Sequence, residues 1–243
     1  MKKYYYDLHI HSCLSPCGDD DSTPNSIAGM GELNGLQIMA LCDHNTCKNC
    51  PAFFEACENH GILPVAGMEL TTAEDIHAVC LFPDLESAME FDKCVNTRRI
   101  LIPNRTDIFG NQLICDSEDN VIGNDEYLLS NATDISIEEA PSLVEHFGGI
   151  CFPAHIDRDS NGIIAVLGTF PETPNFTAAE LHDREKLNDY TEKYSLENKR
   201  ILISSDAHYL WDIKEAEDFL ELQEITDPYK TGESIIKFLR ENK

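Results

Sequence analysis

The chain has 243 residues, 42% of them hydrophobic, enough to bury a sizeable core in one domain spanning 1–243. Its 44 acidic residues against 18 lysines and arginines give a formal net charge of −26 spread along the chain. Such a field repels polyanions and weighs against duplex nucleic acid and anionic membrane faces as partners. No stretch is long and apolar enough to cross a bilayer, and Met1-Lys2-Lys3, followed by tyrosines and an aspartate, has no signal-peptide core, so a cytoplasmic protein is expected.

The first apolar run, from Tyr4 to Leu8, ends in His9-Ile10-His11. Residues two apart on a strand point the same way, so this pair can hold one metal ion, although two histidines near an N-terminus can also be plain polar surface. Thr23-Pro24 and Gly35 bound a helix over roughly 24 to 34. Ile38 to Cys42 then runs into Asp43-His44, a helix is predicted from Cys50-Pro51 to His60-Gly61, and Leu63 to Met68 ends in Glu69. From Glu69 to His77 there are too few residues for a helical crossover, so His77 to Phe82 is expected to run antiparallel to its predecessor and to start beside Glu69.

A helix over Asp84 to Cys94 leads into a region, about 96 to 134, that reads as a β-rich insertion with a hairpin at Ser117-Glu118-Asp119-Asn120, either a substrate lid or an ornament. Ser136-Ile137-Glu138-Glu139 has capping-box spacing for a helix stopped by Gly148-Gly149, with Pro141 an awkward early passenger. Gly149 to Ala154 ends in His155, and Ile201 to Ser205 ends in Asp206-Ala207-His208. Trp211 to Leu222 and Thr231 to Glu241 are expected as amphipathic surface helices.

Strand-like runs end near 9, 42, 68, 82, 153, 180 and 204, and their alternation with helices predicts an α/β fold on a largely parallel sheet. Ligand-type side chains at nearly every strand end favour a barrel over an open doubly wound sheet. Of nine histidines, His9, His11, His44, His155 and His208 terminate such runs and His77 opens one. The ten cysteines read as reduced thiols; Cys47-Lys48-Asn49-Cys50 has zinc-knuckle or redox spacing, with no second CxxC to pair with it.

His9-Ile10-His11-Ser12, Cys42-Asp43-His44-Asn45, Glu69, His77, Pro153-Ala154-His155 and Ser205-Asp206-Ala207-His208 resemble, in order, the motifs of the PHP (polymerase and histidinol phosphatase) superfamily. The resemblance covers almost the whole chain and looks most like the stand-alone phosphoesterases. It implies a distorted (β/α)7 barrel, and two or three divalent ions of zinc, manganese or iron. By the same resemblance His9, His11, Glu69 and Asp206 bind one ion, Glu69 bridges to a second held by His77 and His155, and His44 and His208 contribute to a third. Glu69, Asp206 and His208 are the expected catalytic residues. Many relatives complete the third site with Asp or His where this chain has Pro16-Cys17, and Cys17 could stand in as a thiolate, or Asp19 or Asp20 could reach. Asp43 is expected to orient a ligating histidine.

The chemistry implied is hydrolysis of a small phosphate ester, a metabolite or a nucleotide, by water activated between the bridged ions. Arg158 and Arg184 are candidate phosphate grips, with His182 nearby; an ion pair of Arg158 with Asp157 or Asp159 is the bland alternative. An amidohydrolase-like attack on a C–N bond and a non-catalytic, metal-stabilised module are the competing readings. The first lacks a lysine at a predicted strand end, and the second conflicts with the intact Glu69, Asp206 and His208.

Overall fold

The computed structural model describes residues 1–241. Strand β1 (Lys2–Ile10) leads to helix α1 (Pro24–Leu33), strand β2 (Ile38–Leu41), helix α2 (Cys50–His60) and strand β3 (Leu63–Thr71). Pro24 opens α1 from inside its first turn, and Gly61, at φ 67°, closes α2 in the left-handed conformation that glycine adopts without strain. Strand β4 (His77–Leu81) follows β3 directly and is antiparallel to it, as the short connection required.

Helix α3 (Leu85–Arg98) starts one residue after Asp84, whose side chain accepts from Ser87 N at 2.8 Å, and runs four residues past the expected end. The insertion then holds a short helix α4 (Thr106–Phe109) and a hairpin of β5 (Leu113–Cys115) and β6 (Val121–Asn124). Helix α5 (Ala140–His146) begins later than the capping box suggested. Ser136 Oγ does accept from Glu139 N at 3.1 Å, but a helix begun there would place Pro141 inside it; starting at Ala140 puts that ring in the first turn, where no N–H is needed.

Beyond it come β7 (Ile150–Pro153), α6 (Ile163–Leu167), β8 (Ala178–Leu181), α7 (Leu187–Lys193), β9 (Arg200–Ile203), β10 (Phe219–Leu222) and α8 (Thr231–Arg240). The helix expected over 211 to 222 is instead a single 3-10 turn and the edge strand β10, antiparallel to β1. Its residues alternate, Leu220 and Leu222 buried against Phe219 and Glu221 exposed, and the free edge of β1 at Lys2 to Tyr5 captures that period of two.

One curled sheet has the order β10-β1-β2-β3-β4-β7, and β8 and β9 form a parallel pair beside it. The pair adjoins β7 through Ile156 N→Glu180 O (2.9 Å) and β1 through a bridge at Ile10 and Ala207. The mixed α/β class is as expected, but these seams replace a continuous hydrogen-bonded ring. One apolar layer packs the strands against α1, α2, α3 and α5, and a second gathers their other faces over Ile235, Ile236 and Leu239 of α8. Leu8 belongs to the second layer and Ile10 to the first, so the alternation of β1 inverts between them, where its register against β2 shifts. That inversion turns His9 and His11 to one side. Among the described residues no helix is long and apolar enough to cross a membrane.

Candidate metal centre

The strand-end residues converge. Glu69, buried near the end of β3, receives five imidazoles: His77 Nδ1, His155 Nε2 and His9 Nε2 lie 2.9, 3.0 and 3.4 Å from Oε1, and His44 Nδ1 and His11 Nε2 lie 2.9 and 3.3 Å from Oε2. Asp206 Oδ1 lies 3.1 Å from His11 Nε2 and 3.6 Å from His9 Nε2. The ring of His208 stacks on His11 at 4.2 Å. Two residues of the cluster are strained: His155 and Asp206 sit at φ 26° and 51°, uncommon for residues other than glycine.

Three groups offer ligand atoms within 4.8 Å of one another: His9, His11, Glu69 and Asp206; His44, Glu69 and His77; His11, His44 and His208. The first coincides with the set implied by the resemblance. In the second His44 stands where His155 was expected, although His155 also reaches Glu69. Cys17 is exposed as a residue, but its Sγ lies 3.3 Å from His44 Nε2, where desolvation beside the cluster, reinforced by Glu69 and Asp206, raises its thiol pKa. Cys47 and Cys50 are buried away from the cluster and donate to the carbonyls of Gly67 and Leu41.

The polar partners of each Nδ1 assign the ring tautomers. His9 Nδ1–H donates to Glu180 Oε1 (2.9 Å), and His11 Nδ1–H donates to Ser15 Oγ (2.8 Å), whose hydroxyl donates in turn to Asp43 Oδ1 (2.7 Å). In the neutral rings both Nε2 atoms therefore carry lone pairs, and they face each other at 3.1 Å. Two ring nitrogens this close, set between two carboxylates, call for positive charge between them, as a proton or as a metal ion. Among the described residues, His44 Nδ1, His77 Nδ1, Glu69 Oε2 and Asp206 Oδ1 are buried without a hydrogen bond of acceptable geometry. Orphaned atoms of this kind, with imidazole and carboxylate donors, fit divalent ions.

The electrostatics agree. Against the penalty of burial, His77, His9 and His44 hold the Glu69 carboxyl well below its usual range. Burial lowers His44 to about 4 and His208 to about 3, both helped by His11, so these rings are neutral donors at pH 7. Burial opposes charge on His11, but Asp206 and Glu69 raise it to about 9. The cluster draws positive charge inward.

Asp43 takes its place behind the cluster, but through Ser15 rather than directly on a histidine. Arg158 Nη1 meets Asp206 Oδ2 at 2.5 Å, not Asp157 or Asp159, and its Nη2 lies 3.5 Å from His182 Nδ1. Arg184 is not brought in; it is half exposed and pairs with Asp218. Sequence reasoning missed Ser15 and Glu180. The signal for Glu180 was present: an acid inside the short apolar run Ala178-Ala179-Glu180-Leu181 has no place in a strand buried throughout unless it serves a polar partner.

Residues 7–222 match the PHP domain model, and the chain belongs to that family. Family and site together make it a metal-dependent hydrolase. It is 28% identical over 102 residues to a 5'-3' exoribonuclease of Haemophilus influenzae, a match spanning 39% of this chain and 36% of that protein. The fold is shared with the lesion-specific endonuclease PfuEndoQ of Pyrococcus furiosus: TM-score 0.65, 18% identity, 98% of this chain and 56% of that one. An endonuclease Q complexed with a 27-mer duplex carrying an abasic lesion at the active site gives TM-score 0.62 at 17% identity, over 100% of this chain and 58% of that one. The chain thus spans little more than half of those structures and about a third of the exoribonuclease. These findings correct the expectation of a small phosphorylated partner with duplex nucleic acid excluded. Net charge sums the whole surface, whereas acceptance of a polyanion is decided by the face around the site.

Proposed function

We propose that this chain hydrolyses phosphoester bonds of a nucleic-acid substrate at the Glu69 and Asp206 cluster. The observation that carries the reading is the convergence of His9 Nε2 and His11 Nε2, 3.1 Å apart, on the Glu69 and Asp206 carboxylates. His9, His11, Glu69 and Asp206 would hold one divalent ion, His77, His155 and His44 with Glu69 a second, and His44, His208 and Cys17 a third. Bound there, such ions supply positive charge to the phosphoryl oxygens and acidify water. The chain's own groups then position the substrate. Asp43, through Ser15, keeps the proton of His11 on Nδ1. Arg158, partly exposed and anchored on Asp206 Oδ2, presents the remaining guanidinium donors to a phosphate oxygen. The exoribonuclease likeness and the endonuclease Q fold support the substrate class.

The test is release of nucleotides from labelled single-stranded RNA, single-stranded DNA, duplex DNA and abasic duplex, with added manganese or zinc and a His9→Ala control, beside elemental analysis. Cleavage of at least one polymer, lost in the control, is expected. Metal-replete protein that cleaves none of them, while releasing phosphate from sugar phosphates or ammonia from amides, refutes the reading.

A further inference from the structure

Glu180 is a buried acid with one well-used oxygen. Its Oε1 accepts from His9 Nδ1 (2.9 Å) on β1 and from His155 N (3.1 Å) beyond β7, while its carbonyl accepts from Ile156 N (2.9 Å). No ladder joins β7 to β8, so these bonds close the seam between them. The same three bonds bear on two parts of the cluster. The first keeps the His9 proton on Nδ1 and leaves Nε2 free to ligate; the other two hold the backbone of His155 at φ 26°, a conformation it does not adopt unaided.

We propose that Glu180 is a positioning residue that couples closure of the β7–β8 seam to the metal centre, setting the tautomer of His9 and the placement of His155 together. This rests on the reading of the cluster as a metal centre. Glu180 lies behind both histidines and supplies no atom to any of the three ligand groups. Because a single oxygen accepts both bonds, an amide keeps the acceptor while losing the charge, and an apolar side chain of similar bulk keeps only the packing.

Glu180→Gln and Glu180→Leu are compared with the unmodified chain by zinc content, zinc affinity in competition with a chelator, and nitrogen NMR of the histidine rings in the zinc-loaded protein. Loss of an outer partner of a ligating histidine costs about 10- to 100-fold in metal affinity. The leucine variant is expected in that range and the glutamine variant nearer the unmodified chain, with His9 protonated on Nδ1 in the latter two. A folded leucine variant with unchanged zinc affinity overturns the proposal. Should leucine prevent folding, a His9 ring protonated on Nε2 in the unmodified, zinc-loaded protein overturns it equally. No zinc in the unmodified chain refutes the metal centre itself.

Discussion

Asp125 is the anchor of the insertion, and its removal is the most quantitative stability test the structure offers. Both its oxygens are taken by the Arg99 guanidinium (Nη1→Oδ2 and Nη2→Oδ1, each 3.2 Å), Lys48 Nζ donates to Oδ2 at 2.5 Å, and Tyr127 N donates to Oδ1 at 3.1 Å. The Asp125 and Arg99 side chains are 5% and 4% exposed, so water screens this pair less than a surface pair. Asp125→Ala leaves the guanidinium buried without its carboxylate, which costs about 3–5 kcal/mol. At about 2–4 °C per kcal/mol for a chain of this size, Tm should fall by about 6–20 °C. Burial raises the Asp125 pKa, but Arg99 and Lys48 outweigh it and lower the group on balance. A carboxylate depressed in the folded state stabilises fully above its unfolded pKa, about 3.9, and loses that contribution as pH falls through the folded value. The difference in Tm between Asp125→Asn and the unmodified chain should therefore be constant from pH 5 to 7, roughly the neutral range, and shrink below about pH 4. Calorimetry across that range decides it. A Tm drop under about 2 °C for Asp125→Ala, or a difference that grows on acidification, refutes the reasoning.

Two further outcomes concern the site. Arg158→Ala should lower kcat/KM by about 10- to 150-fold, the loss of a charge-assisted hydrogen bond worth about 1.5–3 kcal/mol, with Arg158→Lys recovering part; unchanged kcat/KM in steady-state assays removes Arg158 from substrate contact. Cys17→Ser should leave the fold intact and abolish the near-ultraviolet thiolate-to-cobalt band of the cobalt-loaded protein; absence of that band in the unmodified chain means that Cys17 only hydrogen-bonds to His44.

What the sequence revealed, and what it hid, divides along local and non-local physics. Runs ending abruptly in His9, Glu69, His155 and Asp206 announce themselves because burial makes the run apolar and ligation makes its last residue polar, both within a few positions. The reversal at His77 was legible from chain length alone. Strand β10 was not, since its partner is the edge of β1 some 215 residues away, and charged residues at intervals from Trp211 to Leu222 mimic a helical face. The inversion of β1 between Leu8 and Ile10 was equally hidden: strict alternation would have sent His9 away from the second apolar layer, and only the register shift against β2 turns it inward. Arg184 misled for the same reason. It follows His182-Asp183 in sequence, but Asp157 accepts from the backbone N–H groups of both of those residues, and Arg184 itself turns to Asp218.

The partners of the histidines show why site prediction stops where it does. Ligand atoms can be inferred from residue types at strand ends, yet which nitrogen of His9 and His11 is turned to the cluster depends on what holds the other, and those partners come from distant places: Ser15 from the loop after β1 and Glu180 from β8. Remove both bonds and the same two imidazoles could turn protons toward each other and toward Glu69, making a hydrogen-bonded cluster with no vacancy for a cation. The residues named by the motifs supply the donors. The two Nδ1 bonds, which no motif records, are what turn their Nε2 atoms toward one another and toward the carboxylates.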